Sequence, residues 1–494
     1  MNVADDTPAV WVDSRGWRVE YARAIVVCIL VAAVASAALA ALRSASVLDA
    51  GTFGETSGYE DVSLTNVYRT AVGLGPYGDL NHNATPALFN GLFYLVYGGI
   101  GRMIGIESGP VPALRFTSLL FISGAVLLFA HASATSLRRQ GLPGWSGAVG
   151  LSIAVITLAG PMVGFWAMTV RPDAAALALE TAALFSLRRA VASTAGAWWV
   201  AAIACALLAF GFKQNAVSCI AAIVVLMALQ QRSLWCAGVF AAAAGLMWLL
   251  RMWGGPHYFL HVLGMAASAE YDVSNIAAEL VKPLAIGWVV LALPLLVVRR
   301  ALAAGGPAQT TALVYLVSLS VALPQLARVG ASRNYLFTAA MAGALVLVDS
   351  ARHLLTSRRL VCTMAAAYLS VLTLAYLAVP GVGQITVPFL DARPAVREQL
   401  PVIRMAASPK FIEDAMTAVP FNSGDKDIEI IDDTVYWSAI RRGLITETVY
   451  DRIARRYYAS AFVEAPEFKS AFEAAGYQKV GAMRDVTYYR RPAS

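Results

Sequence analysis

The sequence predicts a polytopic α-helical membrane protein, with about eleven transmembrane helices and a small C-terminal α/β domain outside the membrane. Three observations carry that reading. Hydrophobic residues make up 58% of the 494, charged residues only 14%, and mean hydropathy is +0.62, far from the balance of a water-soluble domain. Apolar windows long enough to cross a hydrocarbon core of roughly 30 Å recur through the first three quarters of the chain. From about residue 385 the pattern changes to short alternating and amphipathic segments.

Residues 1–21 are mixed and polar, and no small-residue cleavage motif closes the apolar run behind them, so an uncleaved cytoplasmic N-terminal segment is expected. Spans are expected at about 22–42, 113–136, 146–168, 173–188, 195–211, 216–230, 234–253, 284–298, 310–327, 335–350 and 360–380. With the N-terminus cytoplasmic, Arg138 and Arg139, Arg188 and Arg189, Arg232, Arg299 and Arg300, and Arg352, Arg358 and Arg359 all face the cytoplasm, as the positive-inside rule requires. The apolar stretch 84–106, "ATPALFNGLFYLVYGGIGRMIGI", would invert that order if it crossed. It is read instead as one or two helices lying along the outer surface, anchored by Tyr94 and Tyr97.

Residues 22–384 then form the transmembrane domain, with a long first outer loop at 43–112, and residues 385–494 form the outer domain. There "DIEIIDD" reads as a strand, "TVYWSAIRRGL" as a helix, "SAFVEAP" as a strand, "EFKSAFEAAG" as a helix and "YQKVGAMRDVTYYRR" as a hairpin. The alanine-rich composition and missing retention signal point to the plasma (inner) membrane of a bacterium.

Composition also excludes several classes. Cys28, Cys205, Cys219, Cys236 and Cys362 all lie in apolar windows with no CxxC or Cys/His spacing, so neither a disulfide nor a zinc site is expected. The net charge of +7 sits in arginine doublets between spans rather than on one basic face, so no nucleic acid partner is expected.

The candidate chemistry gathers on one side. Ionisable groups at membrane depth are costly, and their convergence on one face suggests a site. Glu60 and Asp61 open the first outer loop, where a carboxylate can act as general base toward an acceptor hydroxyl; a solvated loop acid is the plainer alternative. Arg171 and Asp173 flank Pro172 at a helix start, which suits proline and an acid for structural reasons alone. That leaves Arg171, which could bind a phosphate. Glu180 lies two turns deeper, as a structural pair or a functional group. Lys213 and Gln214 end one outer turn, and Arg328, Arg333 and Asn334 bracket another; they suit a phosphate at headgroup depth, or simple snorkelling. His257 and His261 have metal-compatible spacing but no acidic partner, and read as an interfacial pair. Asn83-Ala-Thr85 matches a glycosylation acceptor by pattern only.

At these residues the chain resembles a family. The acids in "GYEDVSLTNVYRTAVGLGPYGD", the surface helix in "TPALFNGLFYLVYG", the "RPDAAALAL" after the third span and the "FKQ" turn look like the GT-C superfamily of integral membrane glycosyltransferases, similar to the protein mannosyltransferase and aminoarabinose transferase group. The resemblance covers most of residues 22–380. It implies a polyprenyl-phosphate sugar donor, a glycan, lipid or protein acceptor, reaction on the extracytoplasmic side and inversion at the anomeric carbon. It makes Glu60 or Asp61 the base, aligns Asp173 and Arg171 with the second acidic position, Lys213 and Gln214 with the basic turn, and Arg333, by position, with the donor phosphate. Two features depart from the family: one proline at Thr85-Pro86 where it often has two, and Glu60-Asp61 where its acids often read Asp-Glu or Asp-x-Asp.

No cofactor or metal is expected to be required, because cations of the protein suffice for a monophosphate leaving group. A secondary transporter is the main rival, although no repeats or gapped helices are evident. A lipid-modifying transferase lacks its metal cluster or nucleophile set.

Overall fold

The computed structural model describes residues 17–49, 60–83, 85–106, 109–142, 144–193, 195–328, 331–356, 401–413, 426–431, 433–483 and 486–492. The expected span at 360–380, with Arg358, Arg359 and Cys362, lies outside the described residues, as does the start of the expected outer domain.

The helical part runs α1 (Trp17–Asp49), α2 (Glu60–Ala71), α3 (Gly91–Ile104), α4 (Val111–Arg139), α5 (Ser146–Leu158), α6 (Asp173–Ala192), α7 (Gly196–Phe212), α8 (Ser218–Leu229), α9 (Ser233–Gly254), α10 (Ala266–Ser268), α11 (Val273–Leu291), α12 (Val298–Ala304), α13 (Gly306–Gln325), α14 (Phe337–Asp349) and α15 (Ala351–Thr356). Ten of the eleven expected spans coincide with helices in this series. Among the described residues, four stretches are long and apolar enough to cross a membrane: Ile25–Ala45, Val111–Arg139, Ser233–Gly254 and Gly306–Gln325. A bent pair, Gly287–Leu296 with Val298–Ala304, adds a fifth. Helices α5, α7 and α8 are apolar but shorter, so helix length alone does not deliver the expected eleven. Helix α3, at 14 residues, is also short of the roughly 20 that a span needs.

Large apolar side chains stand exposed along α9, among them Leu234 at 86% and Leu249 at 66%. Such a face suits hydrocarbon and would be an aggregation liability in water. Helix α6 is the opposite case. Its alanines Ala174, Ala175, Ala176 and Ala178 are buried, and small residues let neighbouring helices approach closely. It packs against α4, α7 and α13. At Gly343 of α14 a β-carbon would lie 2.0 Å from the Val290 carbonyl oxygen, so only glycine permits this approach to α11.

The two ends of the bundle differ. At one, Arg188 of α6 pairs with Asp349 of α14, with its Nη2 2.9 Å from Oδ1, and Gln140 donates to the Val348 carbonyl at 2.7 Å. Arg188, expected in a cytoplasmic loop, instead lies buried within α6 and clamps it to α14.

The opposite end carries a five-stranded sheet, β1 (Lys410–Glu413), β2 (Ile428–Ile431), β3 (Ser460–Val463), β4 (Gln478–Met483) and β5 (Val486–Arg490), in the order β2-β1-β3-β5-β4. The pairs β1/β2 and β1/β3 are parallel, and β3/β5 and β4/β5 antiparallel. Helices α16 (Asp433–Arg441), α17 (Val449–Ala454) and α18 (Pro466–Ala474) accompany it. The elements read from the sequence recur here, together with β1 and α17, of 4 and 6 residues, which the sequence reading did not include.

The β2 edge is closed by the first loop of the helical part. Ile430 N–H donates to Thr85 Oγ1 at 2.9 Å, and Asn83 Nδ2 to the Ile428 carbonyl at 3.2 Å. Asn83 also accepts from Thr85 N–H. The glycosylation-like triplet is thus an Asx turn that docks the sheet. Beside it Arg452 bridges Glu429 at 2.6 Å and donates to the Asn81 carbonyl.

Candidate active site

The site is assembled where α6, α7 and α14 reach the sheet-bearing end. Helix α6 begins at Asp173 behind Pro172, the acid-first start that its dipole favours. Asp173 is 3% exposed and collects three neighbours. Lys213 Nζ, at the end of α7, lies 2.6 Å from Oδ1; Asn334 Nδ2, just before α14, donates to the same oxygen at 2.8 Å; Arg171 Nε is 3.3 Å from Oδ2. Five of the residues singled out in the sequence therefore form one cluster or touch it: Arg171, Asp173, Lys213, Asn334 and, through Trp166, Arg333.

Trp166 is the part sequence reasoning missed. The guanidinium of Arg333 stands 4.8 Å from its ring centroid and that of Arg171 5.7 Å, distances at which cations are attracted to an indole. Phe165 stacks on Trp166 at 3.9 Å. Lys213 stands 5.4 Å from the Tyr335 ring. Arg333 Nε is buried with no hydrogen-bond partner among the described residues. Arg43 and Glu279 act on Arg333 electrostatically in opposite senses. At the core of the site, Arg171 and Lys213 pair with one carboxylate, and Arg333 and Arg171 share the Trp166 ring.

Gln214 does something else. Its Nε2 donates to the Leu88 carbonyl at 2.7 Å, tying the α7–α8 turn to the loop before α3. His261 holds that same loop. Its Nδ1 accepts from Ala87 N–H at 3.0 Å while Nε2 faces the Gly78 carbonyl at 2.7 Å, which fixes one neutral tautomer. Burial pushes its pKa down from 6.5 to about 4.

Of the Glu60-Asp61 pair, the structure describes the side chain of Glu60. Glu60, at the start of α2, is fully buried against fully buried Arg115 of α4. Arg115 Nε and Nη2 donate to its two oxygens at 3.1 and 3.0 Å, and Val170 N–H donates at 2.8 Å. The carboxylate thereby fixes α2 to the residue that precedes Arg171. Arg115 had a readable signal, a charge inside a 29-residue apolar helix. Asp61 follows on α2, and its side chain lies outside what the structure describes.

Glu180 lies two turns below Asp173 on α6, 4% exposed. It accepts from the Thr338 hydroxyl and weakly from Cys219 N–H, 3.5 Å away at the start of α8. Among the described residues no group of three or more His, Cys, Asp and Glu is placed to hold a metal ion.

No protein-family model and no curated protein matches the chain. Solved structures do. The crystal structure of ArnT from Cupriavidus metallidurans bound to undecaprenyl phosphate superimposes with a TM-score of 0.57 at 13% identity, covering 98% of this chain and 99% of that one. The apo state of the same protein gives 0.56 at 15%, covering 96% and 97%. At such identities the likeness carries the fold and not the chemistry. Along nearly its whole length, this chain shares the fold of ArnT.

Proposed function

We propose that the chain is an inverting membrane glycosyltransferase that moves a sugar from a polyprenyl-phosphate donor to a hydroxyl of a glycan, lipid or protein. The reaction takes place on the extracytoplasmic side of the inner membrane. The observation that supports it best is the gathering of buried cations: Arg171 and Lys213 paired with Asp173, and Arg333 against the same Trp166 ring as Arg171. Guanidinium and ammonium groups gathered in one buried place suit an anion, and a phosphate at the end of a lipid supplies one at this depth. That ArnT has been crystallised with undecaprenyl phosphate on the same fold supports the same donor class here.

In this reading the phosphate lies against Arg171, Lys213 and Arg333, with the tail between the helices. When the glycosidic C–O bond to the phosphate breaks, the negative charge growing on the phosphate oxygen is met by these preorganised cations. The acceptor hydroxyl attacks the anomeric carbon from the opposite face and loses its proton to a carboxylate. Glu60 already accepts three hydrogen bonds, two of them from a guanidinium, so Asp61, beside it on α2, is the base. The cations do the work of a Lewis acid, and no divalent metal is required.

The transporter alternative needs a path through the bundle. The Arg188–Asp349 and Gln140–Val348 ties at the far end favour the enzyme. The test is incubation of the purified protein with radiolabelled polyprenyl-phosphate sugars and a set of acceptors, with and without EDTA. Release of polyprenyl phosphate that survives EDTA and disappears in Asp61→Asn supports the reading; release that EDTA abolishes removes the metal-free mechanism.

A further inference from the structure

Between Asp173 and Glu180 the bundle leaves a partly open cavity of about 30 Å³, lined by those two acids with Ala176, Lys213, Asn215 and Thr338 among others. The spacing along α6 explains how one cavity touches both: residues 173, 176, 177 and 180 recur on one helix face, and Ala176 and Ala216, being small, leave the space between them. Its volume is enough for one or two water molecules. Asn215 Oδ1, a buried oxygen on a residue that lines it, has no hydrogen-bond partner among the described residues, and Asp173 Oδ2 meets the Arg171 guanidinium at 3.3 Å without a hydrogen bond. Buried polar atoms of this kind are normally satisfied by protein or by ordered water.

We infer that this cavity holds ordered water joining Glu180 to the Lys213–Asp173 pair, and that Glu180 is a positioning residue for the Lys213 ammonium. One ammonium proton goes to Asp173 Oδ1. A second, passed through water to Glu180, fixes the direction of the third, which is left for the phosphate. Glu180 is itself held by Thr338 and the start of α8, so the chain of contacts ends on rigid elements. A lysine on a flexible stem gains most from such fixing, since its three donors otherwise rotate freely.

The inference rests on the reading of the site as one for a polyprenyl phosphate. It is tested by equilibrium binding of undecaprenyl phosphate to the full-length protein in nanodiscs, which needs neither sugar nor acceptor. Glu180→Gln keeps the size of the side chain and should weaken binding about tenfold, the scale of one charge-assisted hydrogen bond. Glu180→Asp should recover most of it, and Glu180→Gln added to Lys213→Met should cost nothing beyond Lys213→Met alone. A merely structural glutamate would lower the heat resistance of the protein while leaving the binding constant of the folded fraction unchanged, and that result overturns the inference. Equal binding by wild type and Glu180→Gln, or additive losses in the double variant, also overturns it. Absence of binding by the wild type would remove the donor reading first, and this inference with it.

Discussion

Arg115→Met is the substitution whose effect the structure specifies most closely. Both members of the Arg115–Glu60 pair are fully buried and joined by two hydrogen bonds of 3.1 and 3.0 Å. Removing the guanidinium leaves a buried carboxylate with only the Val170 N–H, and breaking one side of such a pair costs about 3–5 kcal/mol. That is roughly two to four powers of ten in the folding equilibrium. Adding Glu60→Gln removes the stranded charge while its carbonyl still accepts from Val170. Paired apolar or neutral replacements of buried ion pairs are often close to neutral, so the double variant should regain most of the loss. The assay is the fraction surviving a heat series in detergent, read by size-exclusion chromatography. Turnover of the double variant then separates tether from base: it should remain within about tenfold of wild type, whereas loss of a general base costs about 10²–10⁴. Two results would refute the reasoning: heat losses that simply add, or a folded double variant without turnover.

Three further outcomes are expected. Asp61→Asn should lower sugar transfer by about 10²–10⁴ while undecaprenyl phosphate binding stays near wild type, checked by measuring both on one preparation. Lys213→Met and Arg333→Met should each weaken that binding by about ten- to a hundredfold, the scale of a hydrogen bond to a charged group; an unchanged binding constant for both would move the phosphate elsewhere. His261 is held neutral, with its pKa depressed from 6.5 to about 4. Its stabilisation of the loop at 78–87 is therefore full above pH 6.5 and is lost as the pH falls toward 4. Hydrogen exchange of that loop at pH 7 and pH 4.5 should show the loosening, and His261→Leu should exchange fast at both.

Membrane residence, most helix positions and the α/β character of the C-terminal part were legible in the sequence because they follow from local periodicity. Each apolar window announces itself, as in the run from Ile25 to Ala45 with mean hydropathy 2.9. Each amphipathic segment does so too, as in EFKSAFEAAG. Residue type also marked Arg171, Asp173, Lys213 and Asn334, since polar groups at the ends of apolar helices are conspicuous. Their meeting around Asp173 was not legible, because it joins residues 40 and 161 positions apart through the packing of α6, α7 and α14. Trp166 stayed hidden as one aromatic among many until Arg171 and Arg333 were found beside it.

The sequence by itself determined where the chain is apolar, where helices begin and which few charges enter a hydrophobic protein, because burial cost is a property of each residue. Only the tertiary structure decided what those charges do. It set Glu60 against Arg115 and Val170, and Arg188 against Asp349, while bringing Arg171 and Lys213 to Asp173 and Arg333 to Trp166. A charge's role depends on its nearest partner in a low dielectric, and that partner is chosen by helix packing, which sequence spacing does not encode.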